Sequence, residues 1–574
     1  MNVFLCGINA KYIHTNLAIR QIKGYVEKRT GYKISIIEYT INNYVNEIIE
    51  GIYIKKPDIL GFSCYLWNIE IVQKLVVILK KLLPDIIIIL GGPEVTYNPV
   101  EILDDCPCDY VISGEGEAVF CELLTAILNG KIKVKNILGL SYHENNTVIT
   151  NKKNYGFDMA ELPFPYDNFA EIENKICYYE ASRGCPFGCK YCLSSVEKGV
   201  RFAPIEKVCG ELKIFIDNKV RQVKFVDRTF NCKKEFAMGI IKFLIENDNE
   251  ITNFHFEVAA ELLDDEIISL LSTARSGLFQ LEIGVQSTNE NTLSAIARKS
   301  NFEWLSACVK KLKQANNMHL HLDLIAGLPL ENLESFKKSF NDVHNLFPHQ
   351  LQLGFLKILK GSDMEIMCDD FKIEHSPFPP YEILSTNCLS FDDVLVLKGI
   401  EEMVEIYYNT NRYINSVDYL CKFFDSYFDF YLLLSSYKKE KSIDSLVHNK
   451  QTSYAFLIEF AKEKLLNCNL IILICVLKLD LLLHEKPRSL PSWAEEISFN
   501  IKDEAYNFIV KENLALSLLP EYSDCDAKQL MRLVQIEKFP INPYTFEEIE
   551  TSLLFNYRSR NLWGNAKAIQ IELK

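Results

Sequence analysis

From residue 1 to about 130, short apolar runs alternate with stretches of helical spacing. Asn2–Gly7, Ile34–Ile41, Ile59–Ser63, Ile86–Leu90 and Tyr110–Ile112 read as strands. The Ile86–Leu90 run is short, β-branched and bounded by Asp85 and Gly91-Gly92, the pattern of a parallel strand buried on both faces. Between these runs, Leu17–Lys28, Val45–Lys55, Ile69–Leu83 and Val119–Leu128 repeat their apolar positions at helical intervals. The alternation predicts an α/β, Rossmann-like, doubly wound parallel sheet over residues 1–135, with its ligand site beyond the carboxyl ends of the strands.

The rhythm pauses over 136–172. Gly139–Tyr142 and Thr147–Thr150 flank a turn at Glu144-Asn145-Asn146, and Leu162-Pro163-Phe164-Pro165-Tyr166 follows. Prolines remove amide donors and hold such a segment extended, which predicts a hairpin and a linker. Strand candidates resume at Ile176–Ala181, Val223–Val226, Phe254–Val258, Gln280–Val285, His319–Ile325 and Leu351–Ile358. Helical stretches separate them, among them Ile205–Asp217, Asp265–Ser272 and Phe302–Ala315. Six βα units over 173–377 predict a partial (β/α)6 TIM-type barrel, shorter than a full eightfold barrel, with active residues at the strand carboxyl ends. From about Phe378 only helical periodicity is left. Phe391–Tyr408, Ser416–Ser436, Gln451–Leu483 and Asp503–Glu512 carry long apolar faces, so 378–574 is expected to be a helical domain with an aromatic core that caps the barrel. In the loop after its most apolar stretch, His484, Arg488 and Trp493 stand near Lys486-Pro487-Arg488-Ser489, which reads as surface.

Composition narrows the class. The 574 residues are 48% hydrophobic and 24% charged, ordinary for a globular protein of several domains. A net charge of −14 disfavours a general nucleic-acid surface. The apolar stretch Leu470–Leu483 is interrupted by Lys478 and Asp480 and is shorter than the roughly 20 residues that span a bilayer, so no membrane segment is expected. The chain begins MNVFLCGINA, without the regions of a signal peptide, and its 18 cysteines are scattered. A reducing cytoplasm is the expected location.

The chemistry concentrates in Ser182-Arg183-Gly184-Cys185-Pro186-Phe187-Gly188-Cys189-Lys190-Tyr191-Cys192. Thiolates are soft ligands, and three of them on a four-iron cubane leave one iron free to bind a small molecule. Gly184 and Gly188 suit a loop wrapped round a cluster. The same cysteines could instead form a zinc knuckle or lie buried without metal, but zinc usually takes four ligands, and no fourth Cys or His follows closely. In the first sheet, the predicted strand ends carry Gly61-Phe62-Ser63, Gly91-Gly92-Pro93-Glu94 and Gly114-Glu115-Gly116-Glu117. Glycines there admit a large flat or phosphorylated ligand, and they also serve tight β–α turns.

The cysteine spacing resembles the cluster loop of the radical S-adenosylmethionine (SAM) superfamily. Cys185, Cys189 and Cys192 would then hold a [4Fe-4S] cluster whose open iron chelates SAM, with Tyr191 at the family's aromatic position. The core resembles the oxygen-independent coproporphyrinogen oxidase type, which implies SAM contacts from Glu257, Gln286, Ser287, Arg298 and Asp323. Asp227-Arg228-Thr229-Phe230 departs from the Gly-Gly-Glu often found after the second strand. The first domain resembles the cobalamin-binding domain that precedes many such cores. That resemblance implies that Ser63, Gly91 and Gly92 line the nucleotide-tail pocket and that Gly114, Glu115 and Gly116 lie alongside the corrin. No Asp-x-His-x-x-Gly motif is present and His14 lacks that context, so cobalt is expected without a protein histidine. With its helical tail, the whole chain resembles a clostridial-type family of cobalamin radical SAM proteins. The resemblance implies an anaerobic, cobalamin-dependent enzyme transferring a methyl group to an unactivated carbon through a 5′-deoxyadenosyl radical. It would act on a small-molecule or peptide substrate and draw electrons from a donor such as flavodoxin or ferredoxin. A non-methylating rearrangement, ring closure or redox step, a corrinoid-binding sensor with an inactive barrel, and a tRNA- or peptide-modifying enzyme are the rival readings.

Overall fold

The computed structural model describes residues 1–130, 134–145, 147–153, 156–443, 450–511, 517–562 and 564–573. They form two compact units. The first comprises residues Met1–Met318, Ile325–Asn332 and Gly354–Ser390, and the second His319–Leu324, Leu333–Leu353 and Phe391–Lys574.

The first unit opens with strands β1 (Val3–Asn9), β2 (Ser35–Thr40), β3 (Ile59–Ser63), β4 (Ile87–Gly91), β5 (Tyr110–Ile112), β6 (Leu140–Glu144) and β7 (Thr147–Thr150). Their order is β2-β1-β3-β4-β5-β6-β7, with β1 to β5 parallel. The hairpin read from the sequence as part of a linker joins this sheet, β6 pairing antiparallel with β5 through Tyr110↔Tyr142, Val111↔Ser141 and Ile112↔Leu140. Asn146 of its turn lies outside the described residues. β1 is flanked by β2 on one side and β3 on the other, so the chain reverses direction across the sheet at β1/β3, where ligand crevices form. The helix Leu17–Thr30 starts at this crevice. Asn16 caps it by accepting the Ile19 N–H and donates to Ser63 Oγ at 2.9 Å.

The central strands of the same unit are β8 (Ile176–Tyr179), β9 (Ser182–Cys185), β10 (Gly199–Phe202), β11 (Gln222–Phe225), β12 (Asn253–Val258) and β13 (Phe279–Gln286). β8, β11, β12 and β13 are parallel neighbours in that order, and β9/β10 is an antiparallel hairpin carrying the first cysteine. Aromatic rings fill the space under these strands. Phe230 stacks on Phe256 at 3.9 Å, and Phe225 packs between Tyr179 and Phe256. β14 (His319–Ala326) and β15 (Gln350–Phe355) follow in the chain, and then a short hairpin, β16 (Glu374–His375) with β17 (Ile383–Ser385).

The second unit is mainly helical, as the periodicity predicts. Two of the long stretches are broken by caps. Ser426 accepts the Asp429 N–H and separates Ile414–Cys421 from Tyr427–Glu440. Asn469 accepts the Ile471 and Ile472 N–H groups and separates Lys450–Lys464 from Leu470–His484. Asp503–Glu512 resolves into Lys502–Tyr506 and a π turn at Asn507–Lys511, while Glu512 lies outside the described residues. The helical periodicity gave no sign of the antiparallel sheet β18 (Val534–Phe539), β19 (Thr551–Arg560) and β20 (Ala566–Ile571). Among the described residues, no helix is long and apolar enough to cross a membrane.

The helix Leu470–His484 buries two charges, and each has partners. Lys478, fully buried, meets Glu537 on β18 at 2.9 Å and donates to Ser498 Oγ at 3.0 Å. Asp480 accepts from the Asn415 side chain at 2.7 Å and from the Ser416 hydroxyl at 2.6 Å. An uncompensated buried charge is costly, so Glu537→Ala is expected to destabilise this unit by about 3–5 kcal/mol, whereas replacing Lys478 and Glu537 together by Met and Leu is expected to cost far less. Denaturant midpoints of the three proteins check this.

Candidate cofactor-binding site

The carboxyl ends of β3, β4 and β5 surround a cavity of ≈ 110 Å³ lined by Gly61, Ser63, Tyr65, Gly91, Gly92, Gly114 and Gly116, with Leu5 of β1, Ile19, Ile22 and Phe120 also in its wall. Gly92 rejects a side chain, and Gly61 and Gly116 press close against flexible side-chain ends. A Cβ on Gly61 would stand 2.7 Å from Leu5 Cδ2, and one on Gly116 3.1 Å from Ile22 Cδ1. Gly92, at φ +124, would drive a Cβ into the Cys64 carbonyl. The result is a slot walled by backbone and aliphatic carbon, with Ser63 Oγ and strand-end amides as its polar groups. This donor set fits the flat, partly apolar nucleotide end of a corrinoid.

Glu115 departs from its glycine neighbours. Its carboxylate turns away from the slot, receiving Arg183 Nη1 at 3.0 Å, Arg201 Nη2 at 2.7 Å and the Phe157 N–H at 2.9 Å. Burial raises the pKa of the Glu115 carboxyl, but the Arg201 hydrogen bond, the Phe157 N–H and Arg183 outweigh it and hold the group at about 2. His14 is also occupied, its Nδ1 2.8 Å from Tyr178 Oη, and burial lowers its pKa, aided by Lys11 and Lys224.

The cysteine loop leaves β9 at Cys185. Gly184 takes φ +104 and its Cβ would strike the Gly199 carbonyl across the hairpin, so no other residue closes β9 on β10. Gly188 meets no such constraint, a Cβ there facing open space. Cys189 is buried, while Cys185 and Cys192 are partly exposed. Burial raises the Cys189 thiol pKa, and Arg298, with Nη1 3.9 Å from the sulfur, pulls it back. Thr229 Oγ1 stands 3.6 Å from Cys185 Sγ. Three thiols on one short loop, with a guanidinium beside one of them, suit a cluster with one iron left open.

The predicted SAM residues fall into two sets. Tyr191, Gln286 and Arg298 come together: Arg298 donates to Tyr191 Oη at 3.4 Å and to the Gly284 carbonyl. Gln286 ends β13 at φ +71, and a Cβ on Gly284 would clash with its Nε2. Gln286 Oε1 and Arg298 Nε are buried without hydrogen-bond partners, which fits a polar ligand completing them. Glu257 lies on the neighbouring strand, in register with Glu282. Ser287 is committed elsewhere, donating to Glu331 Oε1 at 2.6 Å and accepting the Asn289 N–H at 3.0 Å. Asp323 belongs to the second compact unit, where its carboxylate is 3.0 Å from His321 Nε2.

The Asp-Arg-Thr departure has a structural use. Asp227, buried after β11, accepts from Ser182 Oγ at 2.5 Å and the Ala181 N–H at 2.9 Å, anchoring the base of the cysteine hairpin. Neither Asp227 nor Arg183 stood out from sequence spacing alone, since both act through partners far away in the chain.

A B12 binding domain model matches residues 5–124, and a radical SAM superfamily model matches 179–343. The chain thus joins a cobalamin-binding domain to a radical SAM domain, and its cofactors are a [4Fe-4S] cluster, SAM and cobalamin. Residues 369–555 match a third family, described as "Protein of unknown function (DUF4080)". An uncharacterized methyltransferase of Pyrococcus horikoshii is 28% identical over 289 residues, 48% of this chain and 62% of that protein. The cobalamin-dependent radical SAM methyltransferase TokK of Streptomyces tokunonensis is 27% identical over 346 residues, 54% of this chain and 49% of its own length. The chain therefore spans about half to three fifths of these curated relatives. The solved structure of the cobalamin-dependent S-adenosylmethionine radical enzyme OxsB with aqua-cobalamin bound shares the fold, at a TM-score of 0.61 and 15% identity, covering 80% of this chain and 79% of that one.

Burial pushes the Asp227 carboxyl up to about 7, against the pull of Ser182 and the Ala181 N–H. The folded state therefore holds this proton more tightly than the unfolded state does. The associated stability is full below about pH 4 and is lost as pH rises through about 7, up to about 4 kcal/mol in all. Relative to Asp227→Asn, the cluster-free wild-type protein is expected to lose stability between pH 5 and pH 8, as read from denaturation midpoints.

Proposed function

We propose that the chain is a methyltransferase that places a methyl group on an unactivated carbon of a small-molecule or peptide substrate. The observation that carries this reading is that one compact unit presents both the glycine-walled slot and the cysteine loop, with Arg183 of the cysteine hairpin bonded to Glu115 and Glu117 beside the slot. The methyltransferase names of the two relatives support it. In this reading Cys185, Cys189 and Cys192 hold the cluster, and Tyr191, Gln286 and Arg298 orient SAM, with Glu257 as a further candidate. Ser63, Gly91, Gly92, Gly114 and Gly116 seat the corrinoid. When bound, these cofactors supply a 5′-deoxyadenosyl radical and a transferable methyl group. The chain's own residues bind and aim: the unpartnered Nε of Arg298 offers a donor for a carboxylate, and the unpartnered Oε1 of Gln286 offers an acceptor. A flavodoxin or ferredoxin in a reducing cytoplasm would supply electrons.

Replacing Cys185, Cys189 or Cys192 with Ala is expected to abolish iron binding and SAM cleavage, measured as iron content and 5′-deoxyadenosine after anaerobic reconstitution. Retained cleavage in any of the three variants refutes the ligand assignment. Methyl transfer by this route consumes two SAM molecules per turnover, giving 5′-deoxyadenosine and S-adenosylhomocysteine in equal amounts, with label from methyl-labelled SAM in the product. A rearrangement or redox step gives 5′-deoxyadenosine without stoichiometric S-adenosylhomocysteine, and a sensor gives neither.

A further inference from the structure

Both strands of the cysteine hairpin send an arginine to the same carboxylate. Arg183 on β9 and Arg201 on β10 are direct cross-strand partners, and both hydrogen-bond Glu115. Glu115 stands between Gly114 and Gly116, two walls of the slot, and Arg183 is two residues before Cys185. Arg183 is further held by Glu117 at 2.7 Å and by Glu180 at 2.8 Å and 2.9 Å. Arg201 also donates to the Phe157 carbonyl at 2.9 Å. The three carboxylates and Arg183 are largely shielded from water, with side-chain exposures of 6–16%. Charges paired in such a place are strongly oriented, and separating them would strand a buried ion. The hairpin is rigid for its own reason, the close pass of Gly184 under Gly199.

We propose that Glu115, clasped by Arg183 and Arg201, is a positioning residue that couples the two cofactor sites, so that filling the cysteine site tightens the corrinoid slot. The proposal rests on the cofactor reading above and adds to it a coupling with a measurable size. Any such coupling acts with equal size in both directions.

The test uses the full chain with its cysteine site reconstituted with iron and sulfide, and the same chain free of iron. Hydroxocobalamin is titrated into each, and the ratio of the two dissociation constants is compared across variants. Iron loading is expected to tighten hydroxocobalamin about tenfold in the wild-type protein. Glu115→Gln keeps the shape and removes the charge, and is expected to bring the ratio close to one. Arg201→Lys keeps the charge but loses the two-pronged grip, and is expected to fall between. A wild-type ratio of one, or a ratio unchanged in Glu115→Gln, overturns the proposal. A merely structural role would weaken hydroxocobalamin equally in both states and lower the melting temperature while leaving the ratio alone, and that result also overturns it. If Glu115→Gln does not fold, the Arg201→Lys ratio decides: intermediate supports the coupling, unchanged refutes it. A wild-type chain that takes up neither iron nor hydroxocobalamin refutes the cofactor reading itself, a separate result from uncoupled binding of both.

Discussion

Parallel strands all deliver their chain at the same end, and that constraint organises the first compact unit. In β1 to β5 it gathers Ser63, Gly91, Gly92 and the Gly114–Gly116 loop onto one rim. In β8, β11, β12 and β13 it gathers the cysteine hairpin, Asp227, Glu257 and Gln286. Neither rim has a regular hydrogen-bond ladder left to occupy its backbone, so these loops are free to serve ligands. Cofactor sites at both rims follow from topology before any particular side chain is considered.

Most of that topology was readable from hydrophobic spacing. Val45–Lys55, Ile205–Asp217, Asp265–Ser272 and Phe302–Ala315 form helices with the bounds the pattern implied, because each carries one apolar stripe on a 3.6-residue period. The C-terminal sheet was not readable. The first of its strands does alternate, as Val534-Gln535-Ile536-Glu537, but a run that short does not stand out beside the longer helical stretches before it. The breaks in the long helices were marked by single capping residues, Ser426 and Asn469, which are too common to signal a boundary by themselves.

The candidate sites divide in the same way. Thiols at fixed spacing and glycines at strand ends were legible because their chemistry depends on local sequence. Pairings such as Glu115 with Arg201 or Asp227 with Ser182 join residues tens of positions apart, and spacing carries no trace of them. Glu115 shows the difference within one tripeptide: its glycine neighbours line the slot, while its own side chain serves the hairpin. Ser287 is similar, since its hydroxyl is fastened to Glu331.

The β6–β7 hairpin bears on how the first domain could stand alone. β5 has only three residues, and Val111 at its centre is fully buried. On one side it pairs with β4 and on the other with β6. A fragment ending near residue 135 would strip β6 away and leave a row of unanswered amides and carbonyls beside an apolar face, an open template for another chain. With the hairpin retained, the rim of the sheet is instead the short, threonine-ended β7, whose side chains are partly or fully exposed. The sheet of this domain therefore runs through Thr150, and the segment after the last parallel strand acts as its selvedge.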